Sequence, residues 1–475
     1  MGNELLGRRI ETQILQKCVS SGVAEFIAIY GRRRVGKTFL VKQFFDDKFD
    51  FYLTGIYGCT RELNLQLFAQ ALSRHSGVSV ATPSNWLEAF DQLRSYLAGL
   101  RRKKRVVVFI DELPWLDTPG SRFLSALEHF WNSWGSDQRN LKLVVCGSAT
   151  TWMMHKLIGH HGGLHNRLTE RIHLFPFTLA ETEEYFRSRG IALNRHQIVE
   201  AYMIVGGIPF YLSKFNRGEG LPQNIDRLFF RRNDAEMRSE YDFLFRSLFN
   251  DAEHYRAIVE LLATRSKGMT RCEIQQSLQL KGGGGLTEML TNLEHCDFIR
   301  KYAPFGKKER MAMYQLTDFY SLFYINFVKH FNGRNEQLWS TSVDSPAHRA
   351  WSGYAFKQVC LAHVEQVKRA LGISGVATDV CSWSGDGAQI DLLLDRRDQV
   401  VNLCEVKFSL APYELTRDYD LHLLERREEF RRQTRTRKAL HLTMITTYGL
   451  KHNAYRNDIQ SEVTMDDLFV HAVGG

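Results

Sequence analysis

Two groups of residues in this sequence have types and spacings that can do chemistry. The first is GRRRVGKT at 31–38, which satisfies G-x-x-x-x-G-K-[ST]. Gly31 and Gly36 permit the backbone bends that turn N–H groups inward onto phosphates. Lys37 brings positive charge to the β- and γ-phosphates, and the Thr38 hydroxyl is a ligand for Mg²⁺. Arg34, Val35 and Phe39 complete the expected nucleotide-binding set. The pattern has the context it needs, an apolar strand (FIAIY, 26–30) before it and a helix (TFLVKQFF) after it. The N-terminal dipole of that helix points at the same negative charge. VVVFIDELPW at 106–115 is an apolar strand ending in two acids. Asp111 is expected to hold the Mg²⁺ shell, and Glu112 to orient and activate the attacking water. Ser148 follows a third apolar run, LKLVVCG at 141–147. Ligands in such sheets bind at strand C-termini, so Ser148 is placed to sense the γ-phosphate.

The second group is Asp391 in QIDLLLD with Glu405 and Lys407 in CEVKF. Residues two apart in a strand share a face, so Glu405 and Lys407 point together. A hairpin reversing near Asp398 sets Asp391 opposite Glu405. Two carboxylates and an amine on one spot suit metal-assisted phosphodiester hydrolysis: the acids hold Mg²⁺, and the lysine positions water or stabilises developing charge. The competing reading of the same residues is the solvated Glu-x-Lys face of an ordinary strand.

The elements that must position these groups are legible in outline. Short, fully apolar strands separated by helical stretches such as SRFLSALEHFWNSW (121–134) indicate a parallel sheet covered on both faces. From about 178 the pattern is helical, with LAETEEYFRSRG ending at Gly190 and HQIVEAYMIV running to 205. Helical stretches from 254, the glycine run at 282–285 and a hairpin with arms 298–303 and 310–316 read as a winged helix-turn-helix. Its candidate recognition helix, 286–298, carries Glu288, Glu294 and Asp297 and no Lys or Arg, which suits DNA contact poorly. The hairpin instead gathers Arg300, Lys301, Lys307, Lys308 and Arg310. From about 340 a mixed α/β module follows: a long helix, strands at 390–395 and 400–408, a basic helix with Arg426, Arg427, Arg431, Arg432, Arg435, Arg437 and Lys438, and a further strand.

The chain has 475 residues, too many for one core, with 44% hydrophobic and 24% charged residues, as in ordinary globular proteins. No apolar run approaches the roughly 18–20 residues of a membrane span, and MGNELLGRRI has no apolar signal core. The eight cysteines are scattered singly without a C-x-x-C pair. This argues against a zinc site or a disulfide framework and fits a reducing cytoplasm. A net charge of +9 favours phosphate-rich partners.

LLGRRIE (5–11), the loop at 31–38, FYLTG (51–55), FIDELPWL, VVCGS, NRLTERIHLFPFT (166–178) and VGGIPFYL (205–212) resemble, in order, the prokaryotic (archaeal-type) ATPase family of the AAA+ class. The resemblance implies a nucleotide-binding core with a helical lid, and an arginine that completes a neighbouring subunit's site, hence a homo-oligomer. Arg167 matches that position, with Arg171 as competitor; His165-Asn166-Arg167 stands where the family often has Tyr-Gly-Arg. The family also places a winged helix and a PD-(D/E)xK nuclease-like domain behind the ATPase. Two departures concern that last domain: Lys357 stands where many such folds have a first-helix glutamate, and Gln389 replaces an acid before Asp391.

The fold expected is thus α/β: a P-loop NTPase parallel sheet (1–177), a helical lid (178–240), a winged helix (241–336) and a C-terminal mixed α/β nuclease-like domain (337–475). The function expected is a cytoplasmic ATPase using ATP and Mg²⁺, coupled to a nucleic-acid-binding, Mg²⁺-dependent nuclease-like domain, with DNA favoured over RNA and no membrane partner. The alternative is a nucleotide-operated switch whose C-terminal domains only bind. A translocating helicase-like motor is a third reading, with no motif beyond the nucleotide site to support it.

Overall fold

The three apolar runs form strands, as their lack of alternation requires. In the computed structural model β1 (Glu25–Tyr30), β2 (Phe51–Thr54), β3 (Val106–Asp111), β4 (Leu141–Gly147) and β5 (Glu170–His173) make one sheet. Its order is β2-β3-β4-β1-β5 and every pair is parallel. The interior strands β3 and β4 are buried at every position, whereas the edge strands β2 and β5 are not. The structure describes residues 5–471 apart from 101–102, 149, 160–165, 233–234, 250, 281–283, 344 and 386. His165 and positions 282–283 of the glycine run therefore lie outside the described residues.

The chain divides into two compact units, Met1–Pro176 and Phe177–Gly475. In the first, the helices Arg61–Ser76, Trp86–Ala98 and Phe123–Ser133 cover one face of the sheet. Phe68, Trp86, Phe90, Phe123 and Trp131 build the core there against Phe26, Val108 and Leu143. Because β3, β4 and β1 are parallel neighbours, the loops that follow them open side by side at the C-terminal end of the sheet. That end of the sheet holds Asp111 at the tip of β3, Glu112 and Ser148 just beyond β3 and β4, and the glycine-rich turn.

The second unit begins with helices Leu179–Ser188 and Arg195–Val205, each started by a reciprocal capping box, Thr178 with Glu181 and Asn194 with Gln197. Helices Ala252–Ala263, Arg271–Ser277 and Gly284–His295 precede the expected hairpin. Its arms, β7 (Ile299–Tyr302) and β8 (Met313–Leu316), are antiparallel, and a short β6 (Met269–Thr270) adds to β8. The helix expected over 286–298 ends at His295: Asp297 takes a left-handed turn (φ 60°) that feeds β7.

A second sheet closes the chain: β9 (Thr378–Gly385), β10 (Ala388–Arg396), β11 (Val400–Lys407), β12 (Ala439–Thr446) and β13 (Ser461–Thr464), ordered β13-β12-β11-β10-β9. The β9–β10–β11 pairs are antiparallel, and the β11–β12–β13 pairs parallel. The helix Pro346–Ala362 packs by Phe356 against Phe408, ring centroids 5.2 Å apart. The helix Arg417–Thr434 packs by Leu423 and Phe430 against Ile390, Leu393, Val401 and Leu403.

A candidate nucleotide site and a divided acidic pair

The loop at 31–38 needs its glycines for two different reasons. A Cβ on Gly31 would sit 2.3 Å from the Leu174 carbonyl oxygen, because the chain leaving β5 presses on the start of the loop. Gly36 has open space but a left-handed backbone, φ 93°, as the cap of the helix Lys37–Phe44. Arg34 also bends left-handed, φ 74°. Lys37 is buried and its ammonium donates to the Gly31 and Arg32 carbonyls at 2.9 and 3.0 Å. Burial pushes its pKa down, and Glu112, Cys146 and Asp111 oppose that. Phe39 lies on the first turn of the helix with 40% of its surface exposed.

Asp111 ends β3 beside this loop. Its carboxylate accepts from the Thr38 hydroxyl at 2.8 Å and from the Glu112 amide at 2.9 Å. Burial pushes its pKa up to about 6; the Thr38 bond pulls the other way and the neighbouring Glu112 charge adds to the rise. A hydroxyl and a desolvated carboxylate in contact are hard oxygen donors of the kind Mg²⁺ takes. The donor set therefore fits that ion.

Glu112 sits in a left-handed conformation, φ 47° and ψ 45°. This turns its carboxylate toward β4, where the Ser148 hydroxyl lies 2.9 and 2.6 Å from its two oxygens. The Ser148 amide donates to it as well, at 3.2 Å. Ser148 thus holds Glu112 in place, a role the sequence does not announce. Arg167 is exposed in a turn and Arg171 is exposed on β5.

Sequence reasoning assigned no role to Arg8. It is 4% exposed, and its guanidinium donates to the Phe175 carbonyl at 2.7 Å and the Val35 carbonyl at 2.9 Å. One side chain thus ties the phosphate loop to the segment after β5. Its only sequence signal is its place in LLGRRIE.

The second unit corrects the expected convergence of Asp391, Glu405 and Lys407. The β10–β11 register pairs Leu392 with Cys404, so Asp391 comes next to Glu405 along the strands. However, β10 bulges between Ile390 and Leu393, with one residue more than β9 over that stretch. Ile390 and Leu393 both face the helix Arg417–Thr434, together with Leu403. Glu405, two residues past Leu403, faces the same helix. Asp391 is turned to the other face of the sheet. There the Lys357 ammonium meets its carboxylate at 2.5 Å, and Gln389 donates to the other oxygen.

Each acid has its own resident cation. Glu405 accepts from Arg426 at 2.6 Å and from the Tyr419 hydroxyl at 2.5 Å, with Lys407 at 3.0 Å. Burial pushes the Glu405 pKa up, but Lys407, Arg426 and Tyr419 prevail and hold it at about 2. The basic helix is also largely self-neutralised. Arg427 and Arg431 pair with Glu428, Arg432 with Glu429, and Lys438, beyond the helix, with Asp395. The chain turns left-handed at Arg435, so Arg435, Arg437 and Lys438 are not on the helix at all. Among the described residues no group of three or more acidic, histidine or cysteine donors is gathered for a metal.

The hairpin is docked rather than free. The Phe305 amide donates to the Ser382 carbonyl at 2.7 Å and its ring packs on Phe430, 5.0 Å between centroids. Arg300 donates to Gln315 at 2.8 Å and lies 4.6 Å over the Tyr302 ring. Lys307, Lys308 and Arg310 are exposed.

Residues 5–215 match the family described as "ATPase domain predominantly from Archaea". An uncharacterized protein of Methanocaldococcus jannaschii is 25% identical over 407 residues, 84% of this chain and 87% of the relative. Among solved structures, a Walker-type ATPase of Pyrococcus abyssi is 17% identical with a TM-score of 0.48, over 68% of this chain and 96% of the other. The ORC2 protein of Aeropyrum pernix, in ADPNP–ADP complexes, is 15% identical with a TM-score of 0.43, over 77% of this chain and 96% of the other. No helix among the described residues is long and apolar enough to cross a membrane. The family match falls on the same residues as the loop, Asp111 and Glu112, so residues 5–215 are similar to an ATPase domain of the archaeal type, and that similarity supports ATP binding and hydrolysis.

Proposed function

We propose that the chain is an ATP-operated switch whose second unit binds a partner and does not cut it. The observation that carries this reading is the separation of Asp391 from Glu405, each already neutralised by Lys357 or by Arg426 and Lys407. Two-carboxylate hydrolysis needs both acids on one ion. Here the bulge in β10 sends them to opposite faces, and a metal would have to displace Lys357 from one carboxylate and Arg426 and Lys407 from the other.

In the nucleotide site, the loop amides and Lys37 bind the phosphates. Thr38 and Asp111 would hold Mg²⁺, which offsets phosphate charge when bound. Glu112, fixed by Ser148, orients the attacking water. Arg167, exposed in its turn, is the candidate to reach a neighbouring subunit's nucleotide, with Arg171 as the competitor.

We read Ala252–Leu316 as a winged helix and the last sheet with its two helices as a nuclease-like fold kept for binding. Nucleic acid, DNA before RNA, is the partner we favour. The support is the net charge of +9 and the exposed Lys307, Lys308 and Arg310 at the hairpin.

The test is purified full-length protein with labelled DNA, Mg²⁺ and ATP. The expected result is ATP hydrolysis that Lys37→Ala abolishes, DNA binding that weakens with salt, and no cleavage. Cleavage lost in Asp391→Ala with ATPase activity kept would refute the binding-only reading.

A further inference from the structure

The loop at 31–38 accounts for the phosphates of ATP but not for its base. The first unit holds one further feature beside that loop, a ladder of three rings. Tyr30, the residue before Gly31, stacks on His173 at 4.8 Å between centroids with 12° between planes. His173 in turn contacts Phe175 at 4.0 Å. β1 and β5 are parallel neighbours with Tyr30 opposite His173, so the sheet register itself aligns the first two rings. The ladder ends at the surface, where Phe175 is 54% exposed.

Three contacts fix the backbone that carries this exposed ring relative to the phosphate loop. Arg8 donates to the carbonyls of both Val35 and Phe175. The Leu174 amide donates to the Tyr30 carbonyl at 2.7 Å. The Leu174 carbonyl sits where a Gly31 side chain would be. The segment 174–175 therefore cannot drift from the loop without breaking buried hydrogen bonds. A solvent-facing aromatic ring on a backbone tied to the phosphate loop is a surface on which a planar heterocycle can stack.

We propose that Phe175 is the platform for the purine base of the nucleotide, with Tyr30 and His173 backing it and Arg8 as the positioning residue that sets its distance from the phosphate loop. The proposal rests on ATP occupying the loop at 31–38. The experiment measures equilibrium binding of ATP and of inorganic tripolyphosphate, a base-free probe, to full-length wild type, Phe175→Ala, Phe175→Trp and Lys37→Ala.

The expected result is a roughly tenfold loss of ATP affinity in Phe175→Ala, recovery in Phe175→Trp, and unchanged tripolyphosphate affinity in both. Unchanged ATP affinity in Phe175→Ala, or equal losses for ATP and tripolyphosphate, would overturn the platform. Lys37→Ala separates the two levels. It should weaken both probes; if it weakens neither, the occupancy of the loop fails and the platform falls with it.

Discussion

His363 should make the second unit acid-sensitive in a defined way. The ring is fully enclosed between the helices Pro346–Ala362 and Val364–Ala370, 1% exposed, with Tyr202 edge-on at 5.3 Å. Nδ1–H donates to the Val359 carbonyl at 2.9 Å, and Nε2 accepts from the Leu179 amide at 2.9 Å. Protonation would turn that acceptor into a donor facing another donor. Burial lowers the pKa from 6.5 to about 4, against smaller upward pulls from the Val359 carbonyl and Glu181. A histidine depressed in the folded state leaves stability intact above its unfolded pKa and loses it as pH falls toward the folded value. Between about pH 7.5 and pH 5 the loss is about 2 kcal/mol. The assay is hydrogen exchange of the peptide containing Leu179, corrected for intrinsic rates, in wild type and His363→Gln. In wild type, protection at Leu179 should fall by roughly a factor of thirty over that range, and in the variant it should be lower at pH 7.5 and nearly flat. Equal pH dependence in both proteins would refute the argument that His363 is the titrating group.

Three further outcomes follow from the site geometries. Ser148→Ala frees the Glu112 carboxylate, so kcat should fall about tenfold with KM little changed, whereas Glu112→Gln should abolish turnover and keep ATP binding; steady-state ATPase kinetics with a binding titration checks both. Gly31→Ala forces a Cβ onto the Leu174 carbonyl and should lower the stability of the first unit by about 2–4 kcal/mol, read as a drop in its thermal midpoint that ATP does not restore. Arg426→Met leaves the largely buried Glu405 with Lys407 and the Tyr419 hydroxyl and should cost about 2 kcal/mol in urea unfolding, most of it recovered in the double variant Arg426→Met/Glu405→Gln.

The parts of the molecule legible in the sequence are those where chemistry and periodicity coincide. The strands at 106–111 and 141–147 fall where expected because interior parallel strands are apolar throughout. β2 and β5 escape notice because FYLT and ERIH are short edge segments, half exposed, whose pairing is decided by their neighbours. β9 and β13 are missed for the same reason, since TDVCSWSG and SEVT mix polar and apolar residues. The conformation of the loop at 31–38 is legible because its glycine positions are set by local backbone, one loop of eight residues. The Ser148–Glu112 pairing and the Arg8 tie are not, because they depend on which strand lies beside which. The self-pairing of the basic helix is partly visible in hindsight: Arg417–Thr434 holds as many carboxylates as cations.

The two acidic constellations look alike in sequence and differ in what surrounds the charge. Asp111 touches a hydroxyl and an amide, both neutral, while the nearest ammonium, Lys37, spends its hydrogen bonds on loop carbonyls. Burial without a bonded cation leaves that carboxylate high, at about 6. A cation arriving with the phosphates would offset that uncompensated charge and would be free to leave with them. Glu405 is the reverse case: buried, yet held at about 2 because Lys407 and Arg426 belong to the chain and never depart. Asp391 likewise has Lys357. An exchangeable cation makes a site that can cycle; a resident one makes a structural ion pair. At Asp391 that difference follows from one residue type on one helix, since a carboxylate at position 357 would compete for a cation and the lysine supplies one. Lys357→Glu therefore puts a second carboxylate beside Asp391 in place of its bonded ammonium. It should create measurable Mn²⁺ or Tb³⁺ binding at Asp391 that wild type lacks, detectable by terbium luminescence with the nucleotide loop disabled by Lys37→Ala. Binding of equal strength in the Lys37→Ala protein with Lys357 intact would show that the resident ammonium does not occupy the acid's place.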